Sequence, residues 1–90
     1  MMKVKFLTGF DKDISQLHDK LLSRIILDCI ERFEKASKIS AIPNIKQLKG
    51  HPSEYRYRKG KYRIGFYVKD DIITFAAFDT RDKIYRKFPK

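Results

Sequence analysis

Cysteine and histidine are scarce in this 90-residue chain, tryptophan is absent, and acidic residues are outnumbered by basic ones. A single thiol, Cys29, closes no internal disulfide, which excludes a disulfide-stapled scaffold and fits a reducing compartment. Two histidines, His18 and His51, and one cysteine without ligand spacing make no metal site. No GxxxxGK[ST] phosphate loop occurs. No apolar run approaches the roughly 18 residues of a transmembrane helix. The opening MMKVKFLTGFDKD also lacks the apolar stretch of about 7–15 residues that a secretory signal carries, so cytoplasm is the expected compartment. The shortage of acid matters most. With 11 Asp and Glu against 21 Lys and Arg the net charge is +10, which favours nucleic acid, an acidic protein or an anionic surface without choosing among them.

What is present suffices for one core. Seven Phe and five Tyr within a 42% hydrophobic composition argue against disorder and for a single domain over residues 1–90. KVKFLT, residues 3–8, alternates as a strand, with Val4, Phe6 and Thr8 on one face and Lys3, Lys5 and Leu7 on the other; Gly9 is expected to end it. Asp11 or Asp13 is then expected to cap a helix. From Ile14 to Ser37 the apolar residues recur at helical spacing, with a change of phase at Leu21–Leu22. That shift predicts a short helix and a longer one folded as a hairpin, with one bent helix as the alternative. Residues 37–54 carry two prolines and a glycine and read as a long connection with one helical turn. Strands follow at about 54–58, 61–69 and 72–79, joined by turns at Lys59-Gly60 and Asp70-Asp71. The fold class is therefore α+β: a strand, a helical hairpin, then a three-stranded antiparallel meander, with the helices packed on one face of the sheet.

The stretch EYRYRKGKYRIGFYV concentrates the charge. A Lys59-Gly60 turn pairs Arg58 with Lys61, Tyr57 with Tyr62, Arg56 with Arg63 and Tyr55 with Ile64. Paired residues share a face. One face then holds Arg56, Arg58, Lys61 and Arg63; the other holds Tyr55, Tyr57, Tyr62, Ile64, Phe66 and Val68. The second turn sets Val68, Phe66 and Ile64 opposite Ile73, Phe75 and Ala77, and leaves Phe78 on the open face. Packed cations repel, a cost that a polyanion in the groove offsets, and arginine's planar fork suits phosphate. The competing reading is a solvated face that resists edge aggregation, a task for which lysine is the usual residue. Cys29, among Ile and Leu at helical spacing, reads as a small buried apolar residue.

Residues 48–86 resemble the C-terminal half of the RelE/ParE superfamily of toxins. The matching positions are Leu48 and Gly50, then Tyr55, Arg56, Arg58, Gly60, Tyr62 and Arg63, then Arg81 and Tyr85. The N-terminal half agrees in element order. The resemblance implies the toxin of a type II toxin–antitoxin pair, with an acidic antitoxin segment wrapped around it. In the RelE branch it implies an endoribonuclease acting on messenger RNA in the ribosome, where a 2′-hydroxyl attacks the adjacent phosphate and leaves a 2′,3′-cyclic phosphate. In the ParE branch it implies a non-catalytic inhibitor of DNA gyrase. An inactive RNA- or ribosome-binding relative is the third reading.

The RelE-type solution uses Arg, Lys and Tyr in place of His and requires no metal or cofactor. It implies Arg63 and Arg81 on the scissile phosphate, and Arg56 and Arg58 on developing charge or RNA backbone. Tyr85 would orient the nucleophile or stack on a base. Lys61 is the general-base candidate of the open face, ahead of Lys3 and Lys5 on the first strand, which are assigned to RNA binding. Arg56 and Arg58 stand where RelE itself has a lysine pair. The bland readings are an Arg81 ion pair with Asp79 or Asp82, and a Tyr85 that anchors the tail to the core. A lone loop residue such as His51 is ordinarily solvated.

Overall fold

The computed structural model describes residues 2–89. Strand β1 (Lys3–Phe6) is shorter than its alternation suggests, because helix α1 (Thr8–Ser15) begins at once. The Leu7 carbonyl accepts from the Phe10 and Asp11 N–H groups, so Gly9 lies inside the first helical turn and does not end a strand. Neither Asp11 nor Asp13 caps this helix; Leu7 occupies the cap position without a side-chain bond. Helix α2 (Lys20–Lys35) follows and starts at Asp19, whose carboxylate accepts from the Leu22 N–H at 3.0 Å. The break falls at residues 16–19, slightly before the change of phase, and two helices form, not one bent helix.

The sheet has five strands in the order β1-β5-β4-β3-β2. Strands β3 (Glu54–Lys59), β4 (Tyr62–Lys69) and β5 (Ile72–Thr80) form the expected meander, and β1 joins β5 in parallel. The long connection holds a 3₁₀ turn (Ile39–Ala41) and an extra edge strand, β2 (Ile45–Gln47), antiparallel to β3. Three residues after a proline are too few to show alternation, so β2 has almost no sequence signal.

The first hairpin closes one residue later than expected. Its loop is Gly60-Lys61, with Lys59 opposite Tyr62 and Arg58 opposite Arg63. Gly60 takes φ 59°, in the left-handed region that glycine enters freely. Moving a two-residue loop by one position shifts each partner by two, and the side-chain period is two, so every residue keeps its face. The second turn is Asp70-Asp71 as expected, with φ of 52° and 64°.

A bulge in β5 changes the faces beyond it. Phe66 pairs with Phe75, yet Gly65 pairs with Ala77, leaving Ala76 as the extra residue. Ile64 therefore opposes Phe78 instead of Ala77. Phe78 turns into the helix-side core, stacked on Tyr62 with ring centroids 5.2 Å apart, and is not on the open face. Strict alternation would have exposed it; the bulge buries Phe75 and Phe78 together and sends Ala77 to the other side.

Two cores result. The larger lies between helices and sheet, where Phe33 meets Tyr57 and Phe66 edge-on at 5.2 Å from each. Burying a side chain of this size contributes roughly 1.5–3 kcal/mol. Cys29 is part of this core, with its Sγ 3.7 Å from the Tyr57 hydroxyl. The smaller core lies on the opposite sheet face, where the C-terminal segment brings Ile84 and Phe88 onto Leu48 and Ala77. A 3₁₀ turn (Ile84–Arg86) starts that segment. It covers one end of the face and leaves the arginine end open.

Candidate active site

The open end of the sheet forms a cavity of about 350 Å³ lined by Asn44, Ile45, Lys46, Arg56, Arg58, Arg63, Arg81 and Tyr85. The strands supply Arg56 and Arg58 from β3 and Arg63 from β4, with Arg58 and Arg63 directly opposite. The remaining wall comes from both ends of the meander: β2 with its preceding turn, and the segment after β5.

Backbone contacts fix several of these groups. Arg63 Nη1 donates to the carbonyls of Gly60 and Tyr62, both at 2.8 Å, so its guanidinium is tied to the hairpin loop. Asn44, at φ 65°, accepts the Arg58 N–H on its carbonyl at 3.0 Å and Arg58 Nη2 on its Oδ1 at 3.5 Å. The Arg81 N–H donates to the Lys61 carbonyl at 2.9 Å. Ile84 is fully buried, and its anchorage turns Tyr85 outward to 64% exposure. The Arg56 guanidinium carbon lies 4.7 Å from the centroid of the Tyr85 ring. Tail anchoring is thus done by Ile84 and Phe88, leaving Tyr85 for the cavity.

The electrostatics are those of a crowded cation field. Partial burial, then the neighbouring Arg58, Arg81 and Arg56, hold the Arg63 guanidinium below its usual range. Arg56 first, then Arg81 and Arg63, hold the Tyr85 phenol below the ordinary tyrosine range. An anion relieves both effects. Arg81 is not consumed by an acid: its contact with Asp82 is 3.9 Å, between side chains 70% and 91% exposed, and such pairs contribute little.

Asp79 is engaged elsewhere. Lys87 Nζ lies 2.9 Å from Asp79 Oδ2 and 2.8 Å from Asp13 Oδ1, while Asp13 Oδ2 accepts the Phe78 N–H at 3.0 Å. This cluster ties α1, β5 and the tail together and so holds the Arg81–Tyr85 segment over the sheet. Burial disfavours ionisation of Asp79, but Lys87 and the Thr80 N–H outweigh it and keep the carboxyl below its usual range. Burial likewise opposes the Lys87 charge, and Asp13 and Asp79 outweigh it, raising the amine.

Five of the residues singled out from the sequence meet here: Arg56, Arg58, Arg63, Arg81 and Tyr85. Three do not. Lys61 sits in the loop with Nζ 5.5 Å from the Tyr62 ring centroid, and only its carbonyl serves the site. Lys3 and Lys5 stand on β1, at the sheet edge opposite β2; two strand spacings, about 10 Å, separate them from β4. His51 contacts Glu54 at 3.7 Å and lies outside the cavity lining. Asn44 and Lys46 were missed. Lys46 reaches the site because β2 pairs it with Arg56, a pairing that only the folded sheet reveals. Among the described residues no group of three His, Cys, Asp or Glu side chains could hold a metal ion.

The geometry has relatives. The chain is 37% identical, over 89 residues covering 98% of its length and all of the relative, to the toxin RelE3 of Methanocaldococcus jannaschii. The chain belongs to the RelE family of toxins. A crystal structure of a RelB–RelE antitoxin–toxin complex from Methanococcus jannaschii contains a chain that matches with a TM-score of 0.73 and 34% identity, over 94% of this chain and 99% of that one. An archaeal RelE–RelB complex from Pyrococcus horikoshii OT3 shares the fold at a TM-score of 0.71 and 23% identity, over 91% and 97% of the two chains. No protein-family model matches the chain.

Proposed function

We propose that this chain is the toxin of a RelBE-type toxin–antitoxin pair and that it cleaves messenger RNA bound in the ribosome. The observation that carries this reading is the convergence of Arg56, Arg58, Arg63, Arg81 and Tyr85 on one cavity, in a chain that belongs to the RelE family. The 2′-hydroxyl of the nucleotide before the cut attacks the adjacent phosphorus, the bond to the 5′-oxygen breaks, and the products end in a 2′,3′-cyclic phosphate and a 5′-hydroxyl. Arg63, fixed by the loop carbonyls, and Arg81, left free by its weak acid contact, bind the non-bridging oxygens and stabilise the extra negative charge of the pentacovalent state. Arg56 and Arg58 hold the flanking backbone. No step draws on a metal or cofactor.

An acidic antitoxin segment is the resting partner, and it neutralises the cations around the cavity. Translating ribosomes place the site of action in the cytoplasm. Among the described residues no helix is long and apolar enough to cross a membrane.

The test is incubation with messenger RNA, with and without programmed ribosomes, mapping the cut ends and assaying them for cyclic phosphate. Cuts should require ribosomes and should vanish in Arg63→Ala and Arg81→Ala while RNA binding largely survives. Intact RNA under every condition removes the nuclease reading, and inhibition of DNA gyrase supercoiling is then the next assay.

A further inference from the structure

The arginines assigned to the phosphate share their sheet with an acid. Strands β3, β4 and β5 carry two carboxylates, Glu54 and Asp79. Glu54 opposes Tyr67, at the end of the meander away from the cavity. Asp79 is placed differently: it stands directly opposite Arg63 in the β4–β5 ladder. Paired residues share a face with β-carbons about 4.5–5.5 Å apart, a spacing at which opposite charges attract and a carboxylate ordinarily meets a guanidinium. Arg81 follows two positions further along the chain, so Asp79 is its nearest upstream acid as well.

Neither pair forms. Among the described residues Arg81 meets only Asp82, at 3.9 Å, and no ion pair joins Arg63 to an acid. Lys87 is the reason. Its Nζ lies 2.9 Å from Asp79 Oδ2, while Asp79 Oδ1 accepts the Thr80 N–H at 2.7 Å, so both carboxylate oxygens are engaged. Lys87 is held in turn by Asp13 at 2.8 Å, and Asp13 is fixed to β5 through the Phe78 N–H at 3.0 Å. Asp13 by itself already ties the lysine to the sheet edge. What the contact with Asp79 adds is to withdraw an anion from the arginines. Arg63 takes the carbonyls of Gly60 and Tyr62 instead, each at 2.8 Å, which orient the guanidinium without cancelling its charge.

We propose that Lys87 is a positioning residue of the phosphate site: it occupies Asp79 and so keeps Arg63 and Arg81 unpaired for RNA, an assignment that rests on the reading above in taking RNA as the ligand. Without Lys87 the Asp79 carboxylate, ionised at neutral pH, turns to the guanidinium opposite it and competes with phosphate.

The experiment measures binding of a short single-stranded RNA to the full chain at several salt concentrations, with the 2′-hydroxyls of the RNA methylated so that it cannot be cut. Lys87→Met should weaken binding by roughly tenfold, the weight of one hydrogen bond to a charged group. It should also reduce the slope of log K against log salt by about 0.7, one phosphate contact. Asp79→Asn, whose side chain still accepts the Thr80 N–H, should change little by itself, and added to Lys87→Met it should restore both values. Lys87→Arg should bind as the parent does, because a guanidinium also occupies Asp79. Binding is read well below the melting temperature of each variant, since losing Lys87 also lowers stability. A double variant no better than Lys87→Met would mean that Lys87 only anchors the tail. An equal gain from Asp79→Asn in both backgrounds would reduce Asp79 to a general negative charge. Parent-like binding by Lys87→Met, or a parent that binds no RNA, likewise overturns the assignment. Cleavage on programmed ribosomes is run in parallel: a parent that binds the RNA but cuts no message removes the nuclease reading, while the binding series still decides the role of Lys87.

Discussion

Gly65→Ala should loosen the C-terminal segment from the sheet, and the structure gives the scale of the effect. A β-carbon at position 65 would sit 2.5 Å from both Cγ and Cδ2 of Phe88 and 3.0 Å from its Cβ. Rotating the ring moves Cδ2 but leaves Cγ and Cβ in place, so the whole residue must retreat. Phe88 is only 1% exposed, packed with Leu48, Ala77 and Ile84, and meets Tyr67 edge-on at 5.1 Å. Overpacking of this kind costs about 1–3 kcal/mol, while alanine in a strand gains roughly 0.5–1 kcal/mol over glycine. The net loss should lie between about 0 and 2.5 kcal/mol, each kcal/mol lowering Tm by about 4–8 °C in a domain of this size.

Urea denaturation of Gly65→Ala, Phe88→Ala and the double variant measures the clash directly. Phe88→Ala alone should cost about 3–5 kcal/mol as a large-to-small core change. In the double variant the clash is gone, so the total should fall short of the sum by about 1–3 kcal/mol. RNA cleavage should also drop in Gly65→Ala, because the displaced segment carries Arg81 and Tyr85. Additive costs across the three variants would show that Phe88 does not rest on the glycine.

Three other outcomes are expected. Lys87→Met should lower stability by about 1–2 kcal/mol at neutral pH, less than a fully buried pair because Lys87 is 38% exposed. Asp79 is held below its unfolded value, so its contribution is present above about pH 4 and disappears as pH falls through the folded value; Lys87 is raised, so its contribution is lost only as pH climbs past about 10. The Tm difference between parent and Lys87→Met should therefore shrink below about pH 4, and a difference constant across that range would exclude the ion cluster as its source. Arg56→Ala should weaken binding of a single-stranded RNA and reduce the slope of log K against log salt by about 0.7; titrations at several salt concentrations would reveal an unchanged slope if Arg56 makes no phosphate contact. Asp19→Ala should cost about 1 kcal/mol through loss of the α2 cap, read as a fall in Tm.

Much of the site was legible because it rests on local rules. The faces of Arg56, Arg58 and Arg63 follow from alternation along two strands, and alternation survived a hairpin loop placed one residue off. The phase of the apolar residues likewise marked two helices, and the buried stripe of Ile26, Cys29, Ile30 and Phe33 falls within that run. Phe78 was misplaced because a bulge is a choice between two nearly equivalent registers, decided by which one buries more aromatic surface. Lys61, expected opposite Arg58 on the open face as the general-base candidate, lies in the hairpin loop, where no alternation directs a side chain.

The sequence by itself determined the charge, the two periodicities and the division of the β3–β4 hairpin into a basic and an apolar face, since a period of two or 3.6 needs no distant partner. Only the tertiary structure decided which cations share a cavity. Lys46 is beside Arg56 through a three-residue edge pairing, Tyr85 is over Arg56 because Ile84 and Phe88 bury on the same sheet face, away from the helices, and Lys87 leaves Arg81 free by occupying Asp79. These contacts join residues of different elements, and their stability depends on burial and charge pairing that exist only after the sheet has assembled.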